Sequence, residues 1–133
     1  MLKILIVDDD NIAHVMTKRL LGGTYSLAAA YSGEEALAYL ADCVRTKSEL
    51  PSLILMDIRM EGMSGAEVYR RMRSDEALRE IPVIFITADS DPETQERCLA
   101  DGGIDVILKP FVPRVLLNRV NNAIELSAYR NRG

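Results

Sequence analysis

The sequence contains no tryptophan, and aromatic residues make up only 5% of its 133 positions. Proteins that bind single-stranded nucleic acid by stacking its bases depend on aromatic side chains, so this composition argues against such a platform. An excess of basic residues is also lacking, since 16 Lys and Arg stand against 20 Asp and Glu and leave a formal net charge of −4. That charge balance does not suit the neutralisation of phosphate backbones. We therefore expect no direct nucleic-acid binding by this domain.

Long apolar runs and cysteine pairs are scarce as well. No stretch approaches the roughly 20 apolar residues that cross a bilayer, and the amino-terminal residues have no signal-peptide pattern. Cys43 and Cys98 match neither a metal-binding spacing nor a disulfide framework, and both fall in segments with a helical pattern. These absences predict a cytoplasmic protein, in a reducing compartment and without a membrane partner.

Short apolar runs are present, and they alternate with helical patterns. The runs are residues 4–7, 25–30, 53–56, 83–86 and 104–108. Ser32 and Ser64 open capping boxes, and glycine pairs follow the first and fourth helical patterns. Strict alternation of near-continuous apolar strands with helices predicts an α/β fold. We expect one doubly wound, five-stranded parallel sheet with strand order 2-1-3-4-5 and helices on both faces.

Chemically active side chains stand where four of the five runs end. Asp8 and Asp9 follow the first run, Asp57 the third, Thr87 the fourth and Lys109 the fifth. Each residue alone has an ordinary interpretation, because Asp is common in turns and helix caps and Lys is usually a solvated charge. In the predicted strand order, however, all these ends meet at the carboxyl edge of the sheet, where ligands bind.

Three crowded carboxylates favour a divalent, oxygen-binding cation, Mg²⁺ or Mn²⁺, because the ion removes their mutual repulsion. With the ion and the Lys109 ammonium, the charges at this edge cancel, and Asp57 stays ionised as a nucleophile must. The cation, Lys109 and the Thr87 hydroxyl can each stabilise an oxygen of an incoming phosphoryl group, and the small Ala88 leaves room for it. The sequence thus predicts phosphoryl transfer to Asp57.

The same segments resemble the receiver domain of bacterial two-component response regulators, the CheY-like family. The matching segments are Ile4-Leu5-Ile6-Val7-Asp8-Asp9, Leu55-Met56-Asp57-Ile58-Arg59-Met60 with Gly65, Thr87-Ala88 and Lys109-Pro110-Phe111. The resemblance covers essentially the whole chain. It implies that Asp57 accepts a phosphoryl group from a sensor histidine kinase, a phosphotransfer domain or a small phosphodonor.

The resemblance also implies a role for each site residue. Asp9, Asp57 and the backbone carbonyl of Arg59 would bind the metal, and Asp8 would act through a metal-bound water. Thr87, Ala88 and Lys109 would bind the phosphoryl oxygens, and the Lys109-Pro110 peptide would be cis. The signal would leave by a conformational change on the face formed by the fourth strand, the fourth helix and the fifth strand.

The chain departs from the family pattern at three places. Glu61 stands where the family usually has a proline after Met60, and Val106 replaces the aromatic residue that usually serves as a switch. Because that switch is incomplete, we expect a shift of the loop and helix after the fourth strand to carry the signal. Arg59 and Asp89 occupy the positions that tune phosphate lifetime in the family. We expect them to control the access of water to the phosphorylated site.

Other interpretations remain open at this stage. A receiver-like module that only binds partners would not need the complete set of acidic residues. A phosphohydrolase of the haloacid dehalogenase type would need an acid where this chain has Arg59, and a flavodoxin would need a phosphate loop instead of Asp8 and Asp9. His14, the lone histidine, is interpreted as a surface or packing residue away from the strand ends.

Residues 1–125 are expected to form the receiver domain. Residues 126–133 would complete the last helix and its tail, as a natural end or as the start of a linker to an output domain. We expect the chain to catalyse only its own phosphorylation and autodephosphorylation. It is not expected to turn over another substrate as an enzyme. The resemblance leaves open a target protein, and a homodimer through the fourth helix, fifth strand and fifth helix.

Overall fold

A computed structural model describes residues 1–88, 92–100, 102–110 and 112–132, the last five of these by their backbone alone. The elements follow one another as β1 (Lys3–Val7), α1 (Asn11–Leu21), β2 (Ser26–Ala30), α2 (Gly33–Thr46), β3 (Leu53–Asp57), α3 (Gly65–Arg73), β4 (Val83–Thr87), α4 (Pro92–Ala100), β5 (Asp105–Leu108) and α5 (Pro113–Arg132). The predicted alternation of five strands and five helices is confirmed.

The five strands form one parallel sheet in the order β2-β1-β3-β4-β5, as predicted. β3 and β4 are buried along their whole length, which agrees with the four consecutive apolar residues that precede Asp57 in β3 and Thr87 in β4. One apolar cluster on one face contains Leu5, Met56 and Phe85, and a second contains Ile4, Leu55 and Ile84. Successive residues of each strand therefore enter opposite cores, and helices cover both faces.

Local sequence fixes where the helices begin. The Ser32 hydroxyl accepts a hydrogen bond from the Glu35 amide at 3.0 Å, and the Ser64 hydroxyl accepts one from the Glu67 amide at 3.2 Å. The Asp10 carboxylate caps α1 in the same way, through the amide of Ile12. These caps satisfy donors that have no partner inside a helix. The N-cap expected for α4 at Asp91 lies outside the described residues.

The buried face of α1 differs from the stripe that its apolar residues suggest. Ile12 is 67% exposed, and Val15 and Met16 are exposed as well. The residues that α1 buries are Ala13, His14, Thr17 and Leu21. The Thr17 hydroxyl donates to the Ala13 carbonyl at 2.7 Å, so a polar side chain can face the sheet without an unsatisfied group.

Two other helices show smaller differences of the same kind. Val44 of α2 is exposed while Cys43 is buried, and Val115 of α5 is exposed beside the buried Leu116. Cys43 and Cys98 both lie inside helices, as expected, and both are buried. No helix within the described part of the chain is long and apolar enough to span a bilayer.

Candidate functional site

The carboxyl edge of the sheet brings the predicted residues together. Asp8 and Asp9 follow β1 directly, Asp57 is the last residue of β3, and Thr87 is the last residue of β4. Lys109 follows β5, and its amide donates to the Thr87 carbonyl at 2.8 Å. Parallel strands end at one edge, so residues that are far apart in sequence become neighbours.

The three carboxylates form a tight cluster. Asp8, Asp9 and Asp57 each offer an oxygen, and these oxygens lie within 4.8 Å of one another. Asp8 is 2% exposed and Asp57 6%, whereas Asp9 is exposed to solvent. Two of the three negative charges are therefore held in the interior, where a carboxylate is costly unless it is compensated.

Lys109 supplies part of that compensation. Its Nζ lies 2.7 Å from Asp8 Oδ2 and 3.4 Å from Asp57 Oδ2, with 21% of the side chain exposed. Burial alone would lower the pKa of Lys109, but the hydrogen bond to Asp8 and the charges of Asp57 and Asp8 outweigh it and raise this pKa above its usual value. Lys109 therefore remains a cation at neutral pH.

Asp57 remains under-compensated by protein groups. Burial, followed by the charge of Asp8, raises the pKa of the Asp57 carboxyl to about 6, and Lys109 opposes this rise only in part. Among the described residues, the Lys109 ammonium pairs with Asp8 and Asp57, two of the three clustered carboxylates. More positive charge is needed to keep Asp57 fully ionised and nucleophilic.

The donor set fits a small divalent cation. Mg²⁺ and Mn²⁺ prefer oxygen ligands, and Mg²⁺ is commonly held by one or two carboxylates together with waters. Here the carboxylates are close enough to share one ion, and the exposed Asp9 leaves a side open to water. Both the charge excess and the ligand chemistry agree with the cation that the sequence predicts.

The phosphoryl-binding residues expected from sequence lie beside this cluster. Thr87 is 1% exposed, while Ala88, the next residue, is exposed. In the sheet register Asp57 is opposite Ile86, so Thr87 extends one residue beyond Asp57 along the neighbouring strand. The Lys109-Pro110 peptide is cis, as expected.

The loop between β3 and α3 is tied to the site although it lacks the usual proline. The Arg59 amide donates to Asp57 Oδ1 at 3.3 Å, and the Glu61 amide donates to Asp9 Oδ2 at 3.2 Å. The Met63 amide donates to Glu34 Oε1 of α2 at 3.3 Å. The Arg59 side chain is exposed, and Asp89, its expected counterpart, lies outside the described residues.

Val106 occupies the position of the missing aromatic switch. It pairs with Phe85 in the sheet register and packs, half-buried, against the cluster that contains Phe85. The Phe85 ring meets Tyr69 of α3 edge-on, with 5.4 Å between the ring centroids. An aromatic pair therefore packs on this side of β4 although β5 contributes only a valine.

Sequence reasoning missed one residue at this edge. His14 was expected away from the strand ends, but its Nε2 lies 2.8 Å from the backbone oxygen of Asp8 and the ring is buried. Since a carbonyl only accepts, Nε2 carries the proton. Because β1 and α1 are joined by a turn of only three residues, α1 folds back beside Asp8. No periodicity in the sequence signals this contact.

Comparison with known proteins agrees with the geometry. A family model described as the response regulator receiver domain matches residues 4–121. The cyclic di-GMP phosphodiesterase response regulator RpfG of Xanthomonas campestris pv. campestris is 34% identical over 94% of this chain and 32% of its own length. The DNA-binding response regulator MtrA of Mycobacterium tuberculosis is 34% identical over 89% of this chain and 48% of its own length. The chain thus spans about a third to a half of these curated relatives.

Solved structures show the same architecture. A CheY-like response regulator receiver domain protein from Methanospirillum hungatei JF-1 superposes with a TM-score of 0.83 at 27% identity, covering 98% of both chains. The signal receiver domain of a histidine kinase from Syntrophus aciditrophicus gives a TM-score of 0.80 at 32% identity, covering 94% of this chain and 91% of that one. The matched family model agrees with the acidic site at the strand ends. The chain therefore belongs to the response regulator receiver domain family.

Proposed function

We propose that this domain accepts a phosphoryl group on Asp57 in a Mg²⁺-dependent reaction. The phosphorylated domain then changes conformation on the face formed by β4, α4 and β5, and this change carries the signal. The observation that carries the proposal is the Asp57 carboxylate, buried at the end of β3 within one carboxylate cluster and 3.4 Å from the Lys109 ammonium. Phosphoryl transfer to a carboxylate requires a nucleophile, carboxylates close enough to bind one metal ion, and a positively charged side chain near the phosphoryl oxygens.

The metal would be held by Asp9, Asp57 and the backbone carbonyl of Arg59, with Asp8 acting through a bound water. When bound, Mg²⁺ or Mn²⁺ supplies positive charge against the three carboxylates and the phosphoryl oxygens. This charge lowers the pKa of Asp57 from the raised value that burial and Asp8 impose. Asp57 is then ionised throughout the neutral range.

In the transfer step an Asp57 oxygen attacks the phosphorus, and the bond from phosphorus to the donor breaks. The electron pair of that bond leaves with the donor, which is the imidazole of a kinase phosphohistidine or a small leaving group such as acetate. The Lys109 ammonium and the Thr87 hydroxyl stabilise the phosphoryl oxygens, and Ala88 leaves space for them. The resulting acyl phosphate is labile, which suits a transient signal.

The partners proposed for the domain follow from this chemistry. A sensor histidine kinase or a phosphotransfer domain would supply the phosphoryl group. Residues 1–125 would form the receiver unit, and the end of α5 would lead towards an output domain. We place the domain in the cytoplasm and expect it to contact neither nucleic acid nor membrane directly.

A homodimer would use the face formed by α4, β5 and α5. Large apolar side chains are exposed on this face at Leu99, Leu108, Val112 and Val115. Arg119 of α5 also pairs with Asp105 of β5, with 2.6 Å between Nη1 and Oδ1. Exposed apolar groups beside a charged pair are typical of a surface that becomes an interface.

The alternative functions fit the site less well. A module without phosphorylation would not need the buried acids with their uncompensated charge. A phosphohydrolase of the haloacid dehalogenase type would need a general acid where the exposed Arg59 stands. We therefore expect no turnover of external phosphate esters, only the domain's own phosphorylation and autodephosphorylation.

Incubation with acetyl phosphate and Mg²⁺ tests the proposal. We expect intact-mass spectrometry to show one added phosphoryl group on the wild type and none on Asp57→Asn. No label should form when a chelator removes Mg²⁺ before acetyl phosphate is added. Asp42→Asn is the matched control, because Asp42 is an exposed carboxylate on α2 that pairs with Arg45. An unlabelled wild type, or equal labelling of Asp57→Asn, would contradict the proposal.

A further inference from the structure

His14 is a buried polar residue that the proposed phosphoryl chemistry does not use. It lies on the inner face of α1 with 7% of its surface exposed. The other buried residues of that face are Ala13, Thr17 and Leu21. None of them has a described hydrogen bond to the acidic cluster, since the Thr17 hydroxyl donates within the helix to Ala13. His14 is the member of this face that reaches the strand end.

Its two ring nitrogens are in different situations. Nε2 donates a hydrogen bond of 2.8 Å to the backbone oxygen of Asp8. Nδ1 is buried and has no hydrogen-bond partner. Within the part of the chain that the structure describes, no other buried side-chain nitrogen or oxygen atom lacks one. A buried polar atom without a partner is unfavourable, so an imidazole is a poor choice merely to fill this space. Nε2 is therefore the ring atom through which His14 contributes a polar contact, its hydrogen bond to Asp8.

The ring is also held in place from the outside. Tyr31, which follows β2, stacks against it with 4.1 Å between ring centroids at an angle of 33°. The Tyr31 hydroxyl donates to Asn11 Oδ1 at 3.3 Å, which links the start of α1 to the end of β2. His14 therefore has a fixed orientation with its N–H directed at Asp8.

Asp8 is held at several points, and each affects where its carboxylate lies. Its amide donates to the Ala30 carbonyl at 3.1 Å, and its Oδ1 accepts from the Asp10 amide at 2.9 Å. Its Oδ2 contacts Lys109 Nζ. The bond from His14 holds the peptide between Asp8 and Asp9, so it acts on both acids that follow β1.

We propose that His14 is a positioning residue for the metal site. Its Nε2–H fixes the Asp8 carbonyl and thereby sets the direction in which the Asp8 and Asp9 carboxylates face the cation. This inference rests on the proposed function, because it concerns the same Mg²⁺ site. Removing a hydrogen bond made directly to a metal ligand typically lowers metal affinity by 10- to 100-fold. The His14 bond reaches the backbone of Asp8 and not a ligand atom, so we expect a loss at the lower end of that range.

The test is the Mg²⁺ dissociation constant of the metal-free domain, measured by calorimetric titration. We expect His14→Phe, which keeps a ring against Tyr31 but has no donor, to bind Mg²⁺ about tenfold more weakly than the wild type. His14→Gln places an amide nitrogen at the reach of Nε2 and should restore the affinity. His14→Asn carries the same amide on a shorter side chain and should bind as weakly as His14→Phe.

Thr17→Val is the matched control for packing of α1. Thr17 is fully buried on the same face, and its hydroxyl bonds only within the helix in the described structure. This variant should lower the free energy of unfolding, measured in urea, yet leave Mg²⁺ affinity unchanged. The Gln and Asn variants differ by one methylene and decide the test even where His14→Phe folds poorly.

Three results would overturn the inference. His14→Phe and His14→Asn binding Mg²⁺ as tightly as the wild type would show that the donor is irrelevant. An equal loss in Thr17→Val would show that any disturbance of α1 weakens the site. A wild type that takes up no Mg²⁺ would remove the proposed function together with this inference, whereas the first two results would leave the proposed function intact.

Discussion

At the scale of single residues, the properties of Asp57 follow from a conflict between burial and function. The carboxylate is 6% exposed and lies beside Asp8, so its charged form is disfavoured in the metal-free protein. Lys109 reduces this cost without removing it. The metal-free site is therefore short of positive charge, and a bound cation would favour the ionised form of Asp57.

The raised pKa of Asp57 makes stability depend on pH in a defined direction. Its folded pKa is about 6, against about 3.9 for an Asp in the unfolded chain. Between these values the folded state binds more protons, so the contribution of Asp57 to stability falls as pH rises from about 4 through about 6. We expect Asp57→Asn to raise the free energy of unfolding by about 2 kcal/mol at pH 7.5 without metal, measured by urea denaturation.

The same substitution should have a smaller effect at pH 4.5, where the wild-type carboxyl is mostly protonated in the folded state. If Asp57 is a metal ligand as proposed, added Mg²⁺ will reverse the order at neutral pH, because the wild type would bind the ion and Asp57→Asn would lack one of the ligands. A stability difference that is identical at both pH values would show that Asp57 titrates like an exposed carboxylate.

At the scale of elements, the junction of β3 with α3 depends on one close approach. A Cβ on Gly65, the first residue of α3, would lie 2.2 Å from the Asp57 carbonyl oxygen and 2.9 Å from Met56 Cγ. The Gly65 amide donates to the Ile58 carbonyl at 2.9 Å, which closes the loop below the site. The helix therefore starts directly against the strand that ends in Asp57.

We expect Gly65→Ala to lower the free energy of unfolding by about 2 kcal/mol and to reduce labelling by acetyl phosphate, because the added methyl must displace the backbone at Asp57. Urea denaturation and intact-mass analysis measure the two effects. Gly23→Ala is the control, since a Cβ there meets nothing within 4 Å. Equal effects of the two substitutions would show that the close approach at Gly65 is easily relieved.

The route by which the signal leaves the site also belongs to this scale. Val106 offers no aromatic ring to swing inward, whereas Thr87 leads directly into the segment before α4. We therefore expect beryllofluoride with Mg²⁺, a phosphate mimic, to shift the backbone amide resonances of residues 88–102 in NMR spectra. Residues 41–50 at the distal end of α2 should stay unchanged. If the resonances of 88–102 did not move, another route would be needed.

At the scale of the whole molecule, the sheet order creates the site. Lys109 and Asp57 are 52 positions apart in the chain yet form an ion pair, because β3, β4 and β5 are adjacent and parallel. Two apolar clusters on opposite faces hold these strands in register. Since the acids lie at or just beyond the strand ends, the two clusters on the faces of the sheet are apolar while the edge carries the charge.

Much of this could be predicted from sequence because the signals are local. The apolar run 53–56 predicts a buried strand, which the structure extends to Asp57, and Ser32 and Ser64 cap helices through bonds to residues three positions later. The strand-end positions of Asp8, Asp57, Thr87 and Lys109 followed from alternation and parallel topology. Such patterns survive folding, because strand burial and helix capping depend on neighbouring residues.

Tertiary structure alone decided which helix faces are covered and which side chains meet across elements. On α1 the apolar Ile12 is exposed while His14 and Thr17 are buried, because the sheet covers a stripe that hydrophobicity does not mark. The bond from His14 to the Asp8 carbonyl and the bond from the Met63 amide to Glu34 join separate elements. The sequence by itself determined the strands, the caps and the polar residues at the strand ends, because these depend on near neighbours in the chain. The contacts that orient those polar residues depend on how the helices pack in three dimensions, and only the tertiary structure decided them.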